Sequence, residues 1–297
     1  MLIGVDWGTT RLRAYLIGED GWPVARTEAD AGLLNVEDGD FEGVLAGAIG
    51  DWRLEAPDAP VLLSGMVGSR QGWVEAPYVP VPATAAALAA NCARVATAWG
   101  EVRIVPGVVI GADGRGRADV MRGEETEIMG ALAALDLREG TFVLPGTHSK
   151  WVTVEDGAIT DFATFMTGEI FAAMRDHTIL ARMMTQAPHD TAAFAEGIHC
   201  GLDLSGPGAL MTALFGVRVR GLLGRLGDDA AASYLSGLLI GAEVGSAAAG
   251  RDAVTIVAAT HLASRYGEAL KAAGIASRTA PADTAAQGLA RIAARLP

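Results

Sequence analysis

Five short segments of this chain hold residue types suited to phosphate and proton chemistry. Asp6-Trp7-Gly8-Thr9-Thr10 places an acid at the end of an apolar run, followed by glycine and two hydroxyls. A glycine at Gly8 lets the backbone come close to a phosphate. Thr9, Thr10 and exposed N–H groups can donate to phosphate oxygens, and Asp6 can hold Mg²⁺ through its waters. An ordinary turn, with Asp6 accepting backbone N–H bonds, uses the same residues. Pro145-Gly146-Thr147-His148-Ser149-Lys150 repeats the logic and adds a cation. Paired with the first segment, it can grip a polyphosphate.

Met121-Arg122-Gly123-Glu124-Glu125-Thr126-Glu127 opens a helix with three acids. Acids there offset the helix macrodipole. A carboxylate at that place, facing a cleft, can also take the proton of an attacking hydroxyl, as phosphoryl transfer requires. Ser64-Gly65-Met66-Val67-Gly68-Ser69-Arg70-Gln71-Gly72-Trp73 suits either a mobile surface loop or recognition of a hydroxylated, anionic ligand. Met166-Thr167-Gly168-Glu169 lies between a strand and a helix, where Thr167 can be an N-cap.

The elements that carry these segments follow from periodicity. Runs at 2–6, 12–17 and 24–27, separated by Gly8 and by Glu19-Asp20-Gly21, predict three antiparallel strands. Apolar residues at 41, 44, 45, 48, 49 and 52 predict a helix. Strands are expected at 61–63 and 102–105, an exposed glycine-rich turn at 111–116, and a helix at 124–135. The early pattern then recurs. Strands at 141–144, 151–154 and 159–165 have Gly146-Thr147 after the first and Glu155-Asp156-Gly157 as the second turn. Helices are expected at about 168–185, 191–202, 207–223, 229–249, 261–273 and 284–295, with one strand at 254–258. Two meanders with the same hinge predict a duplicated α/β lobe, with a cleft where the lobes meet.

Composition removes other classes. With 23 Lys and Arg against 35 Asp and Glu, the net charge of −12 argues against nucleic-acid and anionic-membrane partners. Two distant cysteines, Cys92 and Cys200, make no disulfide scaffold. The start lacks a signal-peptide pattern and no apolar stretch is long enough for a membrane span, so a cytoplasmic location is expected. No P-loop, no zinc spacing and no nucleophile elbow occurs.

The chain resembles the 2-dehydro-3-deoxygalactonokinase family of the actin-like ATPase superfamily along nearly its whole length. The resemblance rests on DWGTTRLRAYL from 6, SGMVGSRQGW from 64, APYVPVPA from 76, VMRGEETEIMGA from 120, LPGTHSKWV from 144, FMTGEI from 165 and YLSGLLIGAEV from 234. It implies an α/β, two-lobed actin-like (ribonuclease H-like) fold with a central nucleotide cleft. The expected lobes are residues 1–127, with the first phosphate loop and sugar-acid site, and 128–297, with the second phosphate loop and adenine site. The last helix is expected to pack back on the first lobe.

It also implies transfer of the γ-phosphoryl of ATP to the C6 hydroxyl of 2-dehydro-3-deoxy-D-galactonate. In that frame Asp6 serves Mg²⁺, and Gly8, Thr9, Thr10, Gly146 and Thr147 serve the phosphates. Glu124 is the base, with Glu125 as its rival. Gly65, Met66, Gly68, Arg70, Trp73, Arg122, Thr167 and Glu169 are assigned to the sugar acid, with Arg70 or Arg122 on its carboxylate. The adenine turn, glycine-rich in the superfamily, reads Ala258-Ala259-Thr260-His261 here. A kinase for the gluconate epimer or another small sugar, an exopolyphosphatase, a filament-forming ATPase and a sugar-sensing regulator are the rival readings. A homo-oligomer is left open.

Overall fold

A computed structural model describes residues 1–114 and 116–297. The glycine-rich turn expected at 111–116 therefore falls partly outside the described residues, at Arg115. The chain divides into two compact units. One comprises 1–140, 152–163 and 280–297, and the other 141–151 and 164–279. The expected boundary at 127 gives way to this interleaved division.

The first unit begins with β1 (Leu2–Trp7), β2 (Leu12–Ile17) and β3 (Pro23–Ala29), the meander expected from the turn signals. Then come α1 (Phe41–Glu55), capped by Asp40, and β4 (Val61–Ser64), whose four residues are all buried. Next follow β5 (Tyr78–Pro80), α2 (Ala85–Ala90), β6 (Ala93–Thr97), β7 (Gly100–Ile104), β8 (Gly107–Ile110), β9 (Asp119–Met121) and α3 (Glu124–Ala134). The main sheet has the order β3-β2-β1-β4-β7-β6, and β5-β8-β9 form a small second sheet. β1 pairs antiparallel with β2 and parallel with β4, which puts Asp6 beside both Arg13 and Ser64. Ile3, Val5, Trp7, Leu45, Ile49, Leu63 and Ile104 are among the residues of the core beneath it.

β10 (Gly140–Leu144), β11 (Ser149–Glu155) and β12 (Ala158–Phe165) follow, of which residues 141–151 and 164–165 fall in the second unit. Asp156 and Gly157, both at positive φ, form the two-residue turn of the β11–β12 hairpin, at the place predicted. Then follow α4 (Thr167–His177), α5 (Thr191–Leu202), α6 (Ala209–Leu222), α7 (Ala231–Ala247), β13 (Ala253–Ile256), α8 (Thr260–Ala272) and β14 (Ala276–Thr279). The helix expected over 168–185 is two pieces. Thr178 is extended, caps α4 and starts a 3-10 turn over Ile179–Met183. The sheet order is β12-β11-β10-β13-β14. With the edge strand β6 set aside, this is the order 3-2-1-4-5 of β3-β2-β1-β4-β7, so the duplication read from the two meanders holds at the level of topology.

The chain ends in α9 (Thr284–Ala293), which belongs to the first unit and packs on α3 and β1. The contact is backbone on backbone. A Cβ on Gly130 would lie 1.7 Å from the Thr284 carbonyl oxygen, and one on Gly288 would lie 1.8 Å from that of Thr126. Only glycine admits this approach. No helix among the described residues is long and apolar enough to cross a membrane.

Candidate active site

In the first unit, the β1–β2 turn, the start of α3 and the turn after β4 converge on a cavity of about 510 Å³. Two glycines make the convergence possible. Gly65 (φ 94°) and Gly123 (φ 106°) lie in the left-handed region, and a Cβ on Gly123 would come within 3.3 Å of the Gly65 Cα. Their contact brings Met66 and Glu124 into one wall. Asp6, Gly8, Thr10, Gly65, Met66, Arg122, Gly123 and Glu124 all line the cavity, as do Arg11, Arg13, Glu28 and Glu127.

The three α3 acids have separate environments. Glu124, first residue of the helix, accepts a hydrogen bond from the Arg122 N–H at 2.9 Å and reaches the cavity. Glu125 is fully buried. It accepts from the Gly123 N–H at 2.8 Å and the Thr126 hydroxyl at 3.0 Å. Burial, with the charge of Glu124 added, pushes its pKa up to about 8. Glu125 is absent from the cavity wall and instead ties down the helix start. Glu127, three residues from Glu124 and so on the same helical face, lines the cavity. Burial and the Asp6 charge push it up to about 8, against the opposing pull of Arg13. Sequence reading named Glu124 and Glu125 as candidate bases and gave Glu127 no separate place in the site; its i, i+3 spacing from Glu124 was the available signal.

Asp6 pairs with Arg13 at 2.6 Å across the hairpin, and burial raises its pKa against that pairing. Arg13 lies on β2 and Arg11 two residues before it, just ahead of the strand, and both reach the cavity. That spacing was the sequence signal for both. Among the described residues no group of three or more His, Cys, Asp or Glu forms a metal cage. A carboxylate such as Asp6 suits Mg²⁺, which keeps several waters and takes phosphate oxygens as ligands.

The sugar-acid candidates separate. Arg122 donates to the Ala76 carbonyl at 2.8 Å and stacks on Tyr78 at 4.4 Å, while its buried Nε and Nη1 have no hydrogen-bond partner. Arg70 is exposed, and neither it nor Thr9 is on the cavity wall. Trp73 stacks on Phe41 at 6.1 Å, and Phe41 meets Trp7 edge-on, so Trp73 is packed against the core. Gly68 is buried between Ile104 and Arg122. These two residues hold the loop that presents Met66.

In the second unit, Gly146 and Thr147 lie in the β10–β11 turn with Thr167 and Glu169 beside them. The Glu169 N–H donates to the Thr147 carbonyl at 3.0 Å, and His148 Nε2 is 2.6 Å from a Glu169 carboxylate oxygen. A Cβ on Gly146 would meet nothing within 4 Å, and one on Gly8 only the Arg11 carbonyl at 3.5 Å. Neither has positive φ. The fold does not require glycine at either place, which leaves both backbones open to a ligand.

Glu243 of α7, almost fully buried, is the anchor of this loop. It accepts from Ser149 at 2.6 Å, Trp151 at 2.7 Å, Tyr266 at 2.8 Å and also from Thr167. Burial raises its pKa while the donors lower it. Nothing in the local sequence pattern disclosed these partners. At the adenine turn, Ala259 has φ −60° and ψ 149°, a conformation that alanine takes without strain. A further cavity of about 900 Å³ is walled by α4, α7 and α8, with Phe171, Arg175, Ser236 and Arg265 among its residues.

A family model described as 2-keto-3-deoxy-galactonokinase matches residues 6–292. The chain belongs to the 2-keto-3-deoxy-galactonokinase family. Its similarity to the Escherichia coli (strain K12) 2-dehydro-3-deoxygalactonokinase is 37% identity over 288 residues, covering 96% of this chain and 94% of that protein. A crystal structure of a Sinorhizobium meliloti protein assigned as a 2-dehydro-3-deoxygalactonokinase superposes with a TM-score of 0.88 at 36% identity, covering 99% of this chain and 96% of that one. Component A of the Acidaminococcus fermentans (R)-2-hydroxyglutaryl-CoA dehydratase shares the fold alone, with a TM-score of 0.53 at 13% identity over 98% of this chain and 96% of that one. The family member described here thus has the α/β fold of actin-like ATPases and sugar kinases.

Proposed function

We propose that the chain catalyses ATP-dependent phosphorylation of the C6 hydroxyl of 2-dehydro-3-deoxy-D-galactonate, a step of galactonate catabolism. Family membership over residues 6–292 supports the reaction class and the substrate. The observation that carries the chemistry is the first-unit cavity, where Glu124 and Asp6 share a wall with Gly8 and an arginine that has spare donors.

Glu124 takes the proton from the attacking hydroxyl. It stands at the first position of α3, on the cavity wall beside the Gly65–Gly123 contact. Arg122 donates to the substrate carboxylate once its guanidinium turns off Tyr78, because Nε and Nη1 have no protein acceptor to give up. Asp6 serves Mg²⁺, whose charge offsets that developing on the phosphoryl oxygens. Arg13, which pairs with Asp6 at 2.6 Å, would share that carboxylate with the ion.

The second unit takes the nucleotide. Gly146 and Thr147 bind phosphate. α4 leads from that loop to the 900 Å³ cavity, reaching Phe171 and Arg175 after about 6 and 12 Å at its rise per residue. That distance suits a nucleoside attached to phosphates at the loop. A coupled ADP-release assay with Mg²⁺–ATP tests the reading, using 2-dehydro-3-deoxygalactonate and its gluconate epimer. Turnover preferring the galactonate is expected. Turnover with neither acid overturns the substrate.

A further inference from the structure

Helix α6 is apolar on two opposite faces. Leu214 and Val217 point into the second unit, packed with Leu180, Met183, Tyr234 and Leu238. The other face carries Met211 (74% exposed), Phe215 (60%), Val219 (38%) and Leu222 (69%), with Leu223 (60%) just past the helix end. A helix that is hydrophobic all round is normally covered all round. Single exposed apolar residues are common, but five on one stripe mark an interaction surface.

We infer that this stripe is the interface of a homodimer, with α6 of one chain packed antiparallel on α6 of a second copy. The stripe is self-complementary about Val217. A two-fold axis there sets Met211 opposite Leu223, Phe215 opposite Val219 and Thr212 opposite Leu222, so that apolar side chains face one another at both outer levels and at the centre. That is the condition for an isologous contact. Gly216 lies at the edge of the stripe beside the axis, and a Cβ there would meet nothing within 4 Å, so a second helix can approach closely. Arg220, which borders the stripe, already has its charge answered by Glu196. The exposed fractions of the five side chains amount to roughly 500 Å² of apolar surface per copy, the larger part of the about 800 Å² that a stable dimer buries on each partner.

Sedimentation velocity of the full chain from about 1 to 100 µM is the test. A dimer is expected in the micromolar range, shifted to monomer by F215D and separately by V219D, with far-UV spectrum and turnover unchanged. The double variant F215K/V219D is expected to dimerise again, because the antiparallel register sets each lysine against the partner's aspartate. A monomeric wild-type chain at 100 µM overturns the inference. So does a dimer that both single variants leave intact. Failure of the double variant to re-associate, with the single variants monomeric, overturns the antiparallel register.

Discussion

The two β-hairpins at the heart of the two units share a sheet order and a glycine–hydroxyl turn, yet their surroundings have opposite characters. Around the β1–β2 turn the charges are left in an open cavity. Asp6, Glu124 and Glu127 stand against Arg11, Arg13 and Arg122. Around the β10–β11 turn the charge is withdrawn, as Glu243 is buried beneath the loop and consumed by four donors. A duplicated scaffold thus has one copy whose carboxylates line a cavity and one in which a carboxylate holds the backbone still. The difference teaches that topology sets where a loop is, while the few residues under it decide whether it reacts or grips.

The sharpest way to break this comparison is to remove the reactive acid. Glu124→Gln is expected to lower turnover by about 10²–10⁴-fold while leaving nucleotide affinity unchanged, as measured by turnover and by calorimetric ATP titration. Near-normal turnover would move the role to Glu127. The counterpart in the second unit should fail differently. Glu243→Gln leaves an amide facing donors, so a loss of about 3 kcal/mol is expected in denaturant unfolding, with weaker ATP binding and no selective effect on the sugar acid. An unfolding midpoint equal to that of the parent chain would show that the buried carboxylate is no anchor.

A milder probe is Gly146→Ala. Since a Cβ there meets nothing, melting should stay within about 0.5 kcal/mol of the parent while KM for ATP rises about tenfold, if a phosphate needs the bare backbone. An unchanged KM would reject the loop as a phosphate site.

The smallest effect is a pH slope. Glu125 is held at about 8 in the folded chain against an ordinary value of 4.5. The folded state therefore binds its proton more tightly, and that stabilisation is complete below about pH 4.5 and lost as pH rises through about 8. Glu125→Gln, which mimics the protonated acid, should flatten part of the decline in melting temperature between pH 5 and 8. Glu127, also held at about 8, adds to the decline, as do Asp6 and Glu243, whose pKa values burial raises. Superimposable melting curves against pH would exclude Glu125 as a source.

Much of the scaffold was legible because its signals are local. The β1–β2–β3 and β10–β11–β12 meanders announced themselves through short apolar runs and Asp-Gly turns, and α3 through its acids and apolar face. β14 was not, because Ala276–Thr279 are all exposed and carry no apolar alternation to detect. α4 was read too long because Thr178 breaks the helix through its backbone, within an unbroken apolar pattern. In the site, Asp6 and Gly8 were singled out by residue type and Glu124 by the family resemblance, and all three line one cavity. The separation of Glu124 from Glu125 was not, because neighbouring helical residues point in different directions and only the packing decides which one finds space. Trp73 and Gly68, suited by type to a ligand, are claimed by Phe41 and Ile104 across the fold. The helix of α6 was expected but its uncovered apolar face was not, because periodicity reveals an apolar face without showing what covers it.

The seam between α3 and α9 has a consequence for how the chain comes into being. A growing polypeptide that has reached residue 279 already contains every residue of the second unit, while the first still lacks the helix whose Leu289 covers Gly4 of β1. The half made earliest is therefore the half completed last. Until residues 280–297 emerge, the sheet that carries Asp6 has one apolar side open to water, and a chain cut short there would present that surface to the machinery that disposes of unfinished proteins.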